Sequence, residues 1–202
     1  MKDFGGRVET VWAELRPTTR GLFERALQTP SSPTRASVAN AQYDSRADQE
    51  LSRLLTAFDE RASDTSASLR ADQQVELRRF AETCAAVLQE KTRSAEVFTQ
   101  LVQRAIKQRD YTRLDTLADL LTGFAPTEIC ELARSSEEVV RALAHETLAQ
   151  FPTSTLIGLL ADPVDAEIAR DALRRQAVEY GSEEAREVVN ALTQGDAVNE
   201  EF

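Results

Sequence analysis

The sequence predicts an all-α protein, and three observations carry that prediction. Ala, Leu, Arg, Glu and Gln dominate the 202 residues, and these side chains lose little freedom in a helix. Only seven glycines and six prolines interrupt them. Apolar residues recur at three- and four-residue spacings along most of the chain, and no run of alternating β-branched residues marks a strand. The hydrophobic fraction of 42% suits a folded chain, and with aromatics at 6% its core has to be mostly Leu, Val and Ala. The length fits one or two domains.

Residues 7–28 place Val8, Val11, Trp12, Leu15, Leu22, Phe23, Ala26 and Leu27 on one stripe. The stripe reads as one amphipathic helix, or as two with Pro17 in the first turn of the second, where its missing N–H costs nothing. It is expected to pack on the body of the protein; a partner or a membrane surface is the alternative. "QTPSSPTRAS", residues 28–37, reads as a linker, with two prolines and four Ser/Thr before Ala36. The organisation expected is therefore a helical segment 1–28, a linker 29–43 with its break near 29–36, and a long-helix region 44–109.

Within that region Leu51, Leu54, Leu55 and Phe58 form a stripe, and "SDTSAS", residues 63–68, reads as a turn. Leu77, Phe80, Cys84 and Val87 then alternate gaps of three and four, and the same register runs on through Lys91 and Ser94 to Phe98, Leu101 and Ala105. Such a seven-residue repeat favours a coiled-coil seam or an antiparallel helical hairpin. Lys91 and Ser94 weaken the seam, and Ser94 reads alternatively as the cap of a new helix. Two long antiparallel helices are the preferred reading; pairing between chains is the second.

The C-terminal half holds a rhyme. "EVVRALAHETLAQF" (138–151) is followed twenty-nine residues later by "EIARDALRRQAVEY" (167–180), which sets Arg141 on Arg170 and Phe151 on Tyr180. Each copy leads into a second short amphipathic segment, "PTSTLIGLLAD" (152–162) and "GSEEAREVVNA" (181–191). A fainter copy, "TRLDTLADLLTGF" then "APTEICELA", puts Phe124 twenty-seven residues before Phe151. Two-helix units of this length bury their faces only by stacking. The pattern resembles the HEAT family of α-helical repeats over residues 110–192, extending toward 95. The resemblance implies an α-α superhelix, here over 110–194 with an acidic disordered tail at 195–202, and a surface for binding proteins. HEAT-like units often pair an Asp in the inter-helix turn with an Arg opening the second helix. Arg141 and Arg170 hold the Arg position, Asp162 or Asp165 is the Asp expected for Arg170, and Arg141 lacks an equivalent.

Charge is uneven. Residues 1–109 carry 17 Lys+Arg against 15 Asp+Glu, a net of +2, while residues 110–202 carry 7 against 19, a net of −12. An acidic half repels phosphate backbones, so nucleic acid is not an expected ligand; for the same reason it does not suit the cationic face of DNA glycosylases built on such repeats. The acidity is suited to attract a basic protein partner, and the plainer reading is solubility alone. Cys84 and Cys130 read as small buried hydrophobes. "MKDFGGRVET" has no apolar core of a secretory signal, and no apolar run approaches the roughly 18 residues of a membrane span, so the cytoplasm is the expected location.

Catalytic and metal motifs are tested and set aside. His145 is the single histidine. Deoxyhypusine hydroxylases draw a di-iron site from His–Glu pairs in several HEAT-like repeats, but the position matching His145–Glu146 in the next copy is Arg174–Arg175. His145, Cys84 and Cys130 have no zinc-ligand spacing, and phosphate-cradling glycine loops are lacking. Glu137–Glu138 and Glu183–Glu184 sit where helix dipoles favour negative charge. The expectation is a protein-interaction scaffold that is not an enzyme and needs no cofactor, with Arg141, His145, Arg170 and Arg174 as its candidate surface. The alternatives are a self-assembling protein, a homo-oligomer joined through 44–109, and an enzyme or nucleic-acid modifier with a cryptic site.

Overall fold

The computed structural model describes residues 1–28, 43–64 and 69–199. Among them the chain forms eleven α-helices and two short 3-10 turns with no strand, so the protein is all-α. The chain divides into two compact units, Met1–Leu101 and Val102–Phe202. The stripe at 1–28, expected as a segment of its own, belongs to the first unit. The expected linker residues 29–42 and most of the expected turn, 65–68, lie outside the described residues.

Unit 1 contains a 3-10 turn at Lys2–Phe4, α1 (Gly6–Glu14), α2 (Pro17–Gln28), α3 (Ser45–Ser63), α4 (Ala71–Lys91) and the start of α5 (Ala95–Gln108). The stripe becomes two helices because Leu15 is extended and Pro17 disfavours helical backbone at Arg16. Arg20 donates to the carbonyls of Trp12 (3.0 Å) and Ala13, filling orphan acceptors at the end of α1. Asp44 caps α3, accepting from the Ala47 N–H at 2.8 Å.

Helices α3 and α4 run antiparallel. The Cys84 thiol donates to the Leu51 carbonyl (3.3 Å), while two turns further along α3 the Phe58 ring meets Phe80 (6.1 Å), four residues earlier on α4. Leu51, Leu54, Leu55, Phe58, Leu77, Phe80, Cys84 and Val87 are all buried. The apolar seam read at 44–91 is therefore filled within a single chain. Helix α1 packs on α3, and α2 packs on both α3 and α4. The rings of Phe4, Phe23, Phe58 and Phe80 interlock at centroid distances of 5.6–6.1 Å, with Trp12 edge-on to Phe23 at 5.9 Å.

The seven-residue register does not continue as one helix. Helix α4 ends at Lys91, Thr92 is extended (φ −64°, ψ 147°), and α5 starts at Ala95. The Thr92 hydroxyl accepts from the Ser94 N–H (3.1 Å), a local bond that competes with helical pairing. Gln100 then ties α5 back to α3, its amide donating to the Ser52 carbonyl (3.1 Å) and the Thr56 hydroxyl (2.9 Å).

Unit 2 holds the end of α5, α6 (Tyr111–Leu120), a 3-10 turn at Leu121–Gly123, α7 (Pro126–Ala133), α8 (Glu138–Ala149), α9 (Thr153–Leu159), α10 (Ala166–Val178) and α11 (Glu183–Asn199). Between α5 and α6, Arg109 adopts the left-handed region (φ 58°), and Asp110 caps α6 through the Arg113 N–H (3.1 Å). Pro126 opens α7, where its missing N–H is harmless. Beyond α10, Gly181 is left-handed (φ 67°) and the Ser182 N–H reaches back to the Gln176 carbonyl at 3.0 Å, a Schellman-type closure that glycine permits. Helix α7 packs on α8, α9 and α10, and α10 packs on α8, α9 and α11. Ile129, Cys130, Leu132, Val140, Ala144, Leu148, Leu156, Ala169 and Leu173 are buried.

The chain end departs from expectation. An acidic disordered tail is expected at 195–202, but α11 continues to Asn199. Gly195 alone costs a helix about 1 kcal/mol, and no proline follows Pro163 to stop it. Residues 200–202 lie outside the described residues.

Candidate functional site

Helices α8 and α10 pack side by side. Each carries two of the candidate residues four positions apart, so each pair shares one helix edge: Arg141 with His145, and Arg170 with Arg174. The four play different parts. Arg141 is half-buried and donates through Nη1 to the carbonyls of Ser135 (2.8 Å) and Ser136 (3.4 Å), closing the loop that precedes its own helix. Arg174 is exposed and pairs with Asp171 at 2.8 Å. His145 is half-buried. Arg170 is half-buried as well, and its Nε is enclosed without a hydrogen-bond partner. Among the described residues no hydrogen bond or ion pair joins the four to one another.

The Asp–Arg pairing differs from expectation. Asp165 does not serve Arg170; its carboxylate accepts from Arg134 at 2.7 Å, and the same Nη1 donates to the Val164 carbonyl at 3.2 Å. Asp162 turns inward on its own loop, accepting from the Val164 N–H at 2.9 Å. The reason is positional. Asp165 precedes α10 and lies five residues before Arg170, outside the three- and four-residue spacings that meet on a helix. Arg134, at the end of α7, arrives from a different helix. The Asp165 side chain is 5% exposed, so this ion pair is enclosed on its acidic side.

Helices α8 and α10 are also cross-tied by the residues that follow His145 and Arg174. Glu146 accepts from the Tyr180 hydroxyl (2.6 Å) and the Gln150 amide (3.2 Å), and pairs with Arg175 at 3.1 Å. Arg175 also pairs with Glu179 at 2.8 Å. The Tyr180 hydroxyl, then the Gln150 amide, hold the Glu146 carboxyl below its ordinary range. The bond to Glu179 raises the Arg175 guanidinium, and the bond to Glu146 raises the Tyr180 phenol.

Gln176 ties the same helices underneath. Its side chain is buried, and the amide donates to the carbonyls of Ala149 (3.1 Å) and Phe151 (2.6 Å) while its oxygen accepts from Thr153 (3.3 Å). One α10 side chain thus satisfies the end of α8 and the start of α9 together. The three rhyming aromatics meet unlike surroundings: Phe124 is 5% exposed, Phe151 is half-buried, and Tyr180 is 51% exposed.

Sequence reasoning missed Gln176, Glu146, Arg175 and Tyr180 as a linked set. A signal existed for Gln176, which falls three and seven residues after the buried Leu173 and Ala169, on the apolar face. None existed for the Glu146 network, whose partners lie up to 34 residues apart.

The chemical inventory is short. Cys84 and Cys130 are buried thiols outside any disulfide, and burial pushes the Cys130 thiol up to about 11. Among the described residues no group of three or more His, Cys, Asp or Glu side chains is placed to hold a metal ion, and no helix is long and apolar enough to cross a membrane. Comparison with protein-family models, curated proteins and solved structures finds no match.

Proposed function

We propose that residues 110–194 form a short HEAT-like stack serving as a non-enzymatic scaffold for a protein partner. One observation carries the reading. Helices that occupy equivalent places in the rhyme pack on each other: α8 on α10 among the first helices, and α7 on α9 among the second. That is the neighbour relation a stack of helix pairs requires. Gln176 and the Glu146–Arg175–Tyr180 ties fasten α8 to α10, and the same two helices carry Arg174 and the half-buried Arg141, His145 and Arg170. Among the described residues, seven of the eight large exposed apolar side chains also belong to unit 2: Ile106, Tyr111, Val139, Ile157, Val164, Val178 and Tyr180. A surface mixing acidic charge, a few arginines and scattered apolar side chains suits protein contact better than contact with phosphate backbones.

The test is affinity capture with crosslinking, using the wild-type chain beside Arg174→Glu and Val178→Glu. Both substitutions sit at exposed positions and are expected to leave the helical circular dichroism unchanged. Loss of one reproducibly crosslinked protein from either variant supports the reading. A partner captured equally by wild type and both variants, or an inert monomer by light scattering with no crosslinks, refutes it.

A further inference from the structure

Two helices of unit 2 hand the chain on through a left-handed residue. After α10 that residue is Gly181 (φ 67°), which reaches the region without strain. After α5 it is Arg109 (φ 58°), and among the described residues no other non-glycine residue has a positive φ. The Arg109 N–H donates to the Ile106 carbonyl (3.0 Å) and the Asp110 N–H to the Ala105 carbonyl (2.9 Å). This paired closure ordinarily selects glycine at the left-handed place. Strain of this kind gathers at binding and switch sites, which turns attention to the Arg109 side chain.

Among the described residues the exposed Arg109 guanidinium makes no hydrogen bond or ion pair, and neither does the exposed Lys107 ammonium. Two large apolar side chains stand open beside them, Ile106 before and Tyr111, 69% exposed, after. Arg104, Lys107, Arg109 and Arg113 against Asp110 give residues 104–113 a net charge of +3. The remaining residues 114–202 carry 6 Lys+Arg against 18 Asp+Glu, a net of −12. The α5–α6 corner is thus a cationic and apolar spot on an acidic unit.

Its complement lies on the same unit. Residues 178–191 carry Glu179, Glu183, Glu184 and Glu187 against Arg186, a net of −3. Glu184 and Glu187 are exposed, three residues apart on one side of α11, and make no ion pair among the described residues. Arg186 donates to the Ala177 carbonyl (3.4 Å), which sets the first turns of α11 beside Val178, 82% exposed. Val164 is also exposed beside acids, but there Asp165 is already bonded to Arg134 and Asp162 to its own loop.

We propose that the α5–α6 corner of one molecule, Ile106, Lys107, Arg109 and Tyr111, docks on the α10–α11 corner of a second copy, Val178, Glu184 and Glu187. Opposite charges meet there with apolar side chains on both faces, a composition suited to protein contact. The two corners differ, so the contact is head-to-tail. Each added molecule leaves a corner free for the next, and copies join in line or close a ring. The charged groups are exposed, so salt weakens the contact. None of this depends on whether the helices form a HEAT-like stack.

The experiment is sedimentation velocity on the full chain over a wide concentration range, at low and at high salt. The wild type should sediment above the monomer mass at low salt and fall back toward it as salt rises. Arg109→Gly separates strain from docking, because it relieves the one and removes a contact of the other. It should raise the urea midpoint yet weaken association about tenfold. Lys107→Glu with Arg109→Glu, and Glu184→Lys with Glu187→Lys, should each give monomers, and mixing these two double variants should restore assembly. A wild type that stays monomeric to about 100 μM at low salt overturns the proposal. So does self-association that all these variants leave unchanged, an Arg109→Gly chain that unfolds more easily than wild type, or capture of a different acidic protein in place of a second copy. A monomeric wild type whose crosslinked partner is lost in Arg174→Glu sinks this docking and leaves the scaffold reading standing. Salt-sensitive self-association with no other protein captured supports the docking and counts against the scaffold.

Discussion

Unit 1 and unit 2 are both helical, yet they hold together by different means. Unit 1 closes around interlocked rings, Phe4, Phe23, Phe58 and Phe80, drawn from a 3-10 turn and three helices. In unit 2 Phe124 is the only aromatic residue described as buried. Its helices meet instead through Ala, Leu, Ile and Val, and are crossed by polar ties: Gln176 under α8 and α9, Arg134 on Asp165, and Glu146 with Arg175 and Tyr180. Among the described residues, Val75 is the one large exposed apolar side chain of unit 1, against seven in unit 2. The difference teaches that a large ring packs many helices around one point, whereas small side chains allow close helices whose relative placement then falls to hydrogen bonds. The first solution leaves little apolar surface over; the second leaves a good deal.

The comparison breaks most sharply at Phe58. It is fully buried between Phe23 and Phe80, and Phe58→Ala is expected to cost about 3–5 kcal/mol, most of the stability of a small domain. A urea melt followed by circular dichroism measures it. A loss near 1 kcal/mol would show that the ring cluster is not the organising centre of unit 1.

In unit 2 the corresponding blow is polar. Gln176→Leu keeps the volume but strips three bonds, two of them buried, leaving the Ala149 and Phe151 carbonyls without their donor. The expected cost is about 2–3 kcal/mol, read from the same melt. Amide exchange should quicken in α9, whose first residues depend on that anchor. Arg134→Gln comes next at about 2 kcal/mol, since it leaves the buried Asp165 carboxylate with a weaker donor.

Thiol labelling gives a smaller and cleaner effect. Cys84 and Cys130 are both buried, and the Cys130 thiol is pushed up to about 11. A thiol reagent at pH 8 should leave both unmodified in the folded chain and modify both in urea. Rapid labelling of Cys130 in the absence of denaturant would mean that the α7–α8 packing opens readily.

The smallest change is Tyr180→Phe, an exposed alteration that barely moves the melt at neutral pH. Its value lies in acid. The Glu146 carboxyl is held low chiefly by Tyr180, so its stabilising contribution is present above the unfolded pKa and is lost as pH falls through the folded one. The wild type and the variant should therefore converge as that carboxylate is protonated.

How much of this was legible follows from the range of each interaction. Helix positions were readable because apolar spacing and local caps act within a turn or two: Pro17, Pro126 and the gap structure of 51–58 and 77–87 suffice for the elements that contain them. The register through Lys91 and Ser94 left two readings open because counting residues does not show backbone direction; Thr92 breaks the helix without disturbing the count, and the new helix starts directly after Ser94, as the alternative reading had it. Gln176 stands at an apolar position of an amphipathic pattern. That signal was present, but a polar residue there reads as a weak spot until its partners are seen. The partner of Asp165 was beyond reach, because Arg134 lies 31 residues away on another helix. The Phe124, Phe151 and Tyr180 rhyme was legible as spacing and silent about burial, which depends on what each helix packs against.

One earlier feature governs how all of this will be watched. Trp12, the lone indole, sits edge-on to Phe23 with the Arg20 guanidinium 5.9 Å from its ring centroid, inside the first unit. Its fluorescence is consequently a witness to the packing of the first unit. Emission and far-ultraviolet ellipticity that fall at the same urea concentration would mean both units let go as one. Ellipticity that declines while the emission holds would date the separate release of the C-terminal helices.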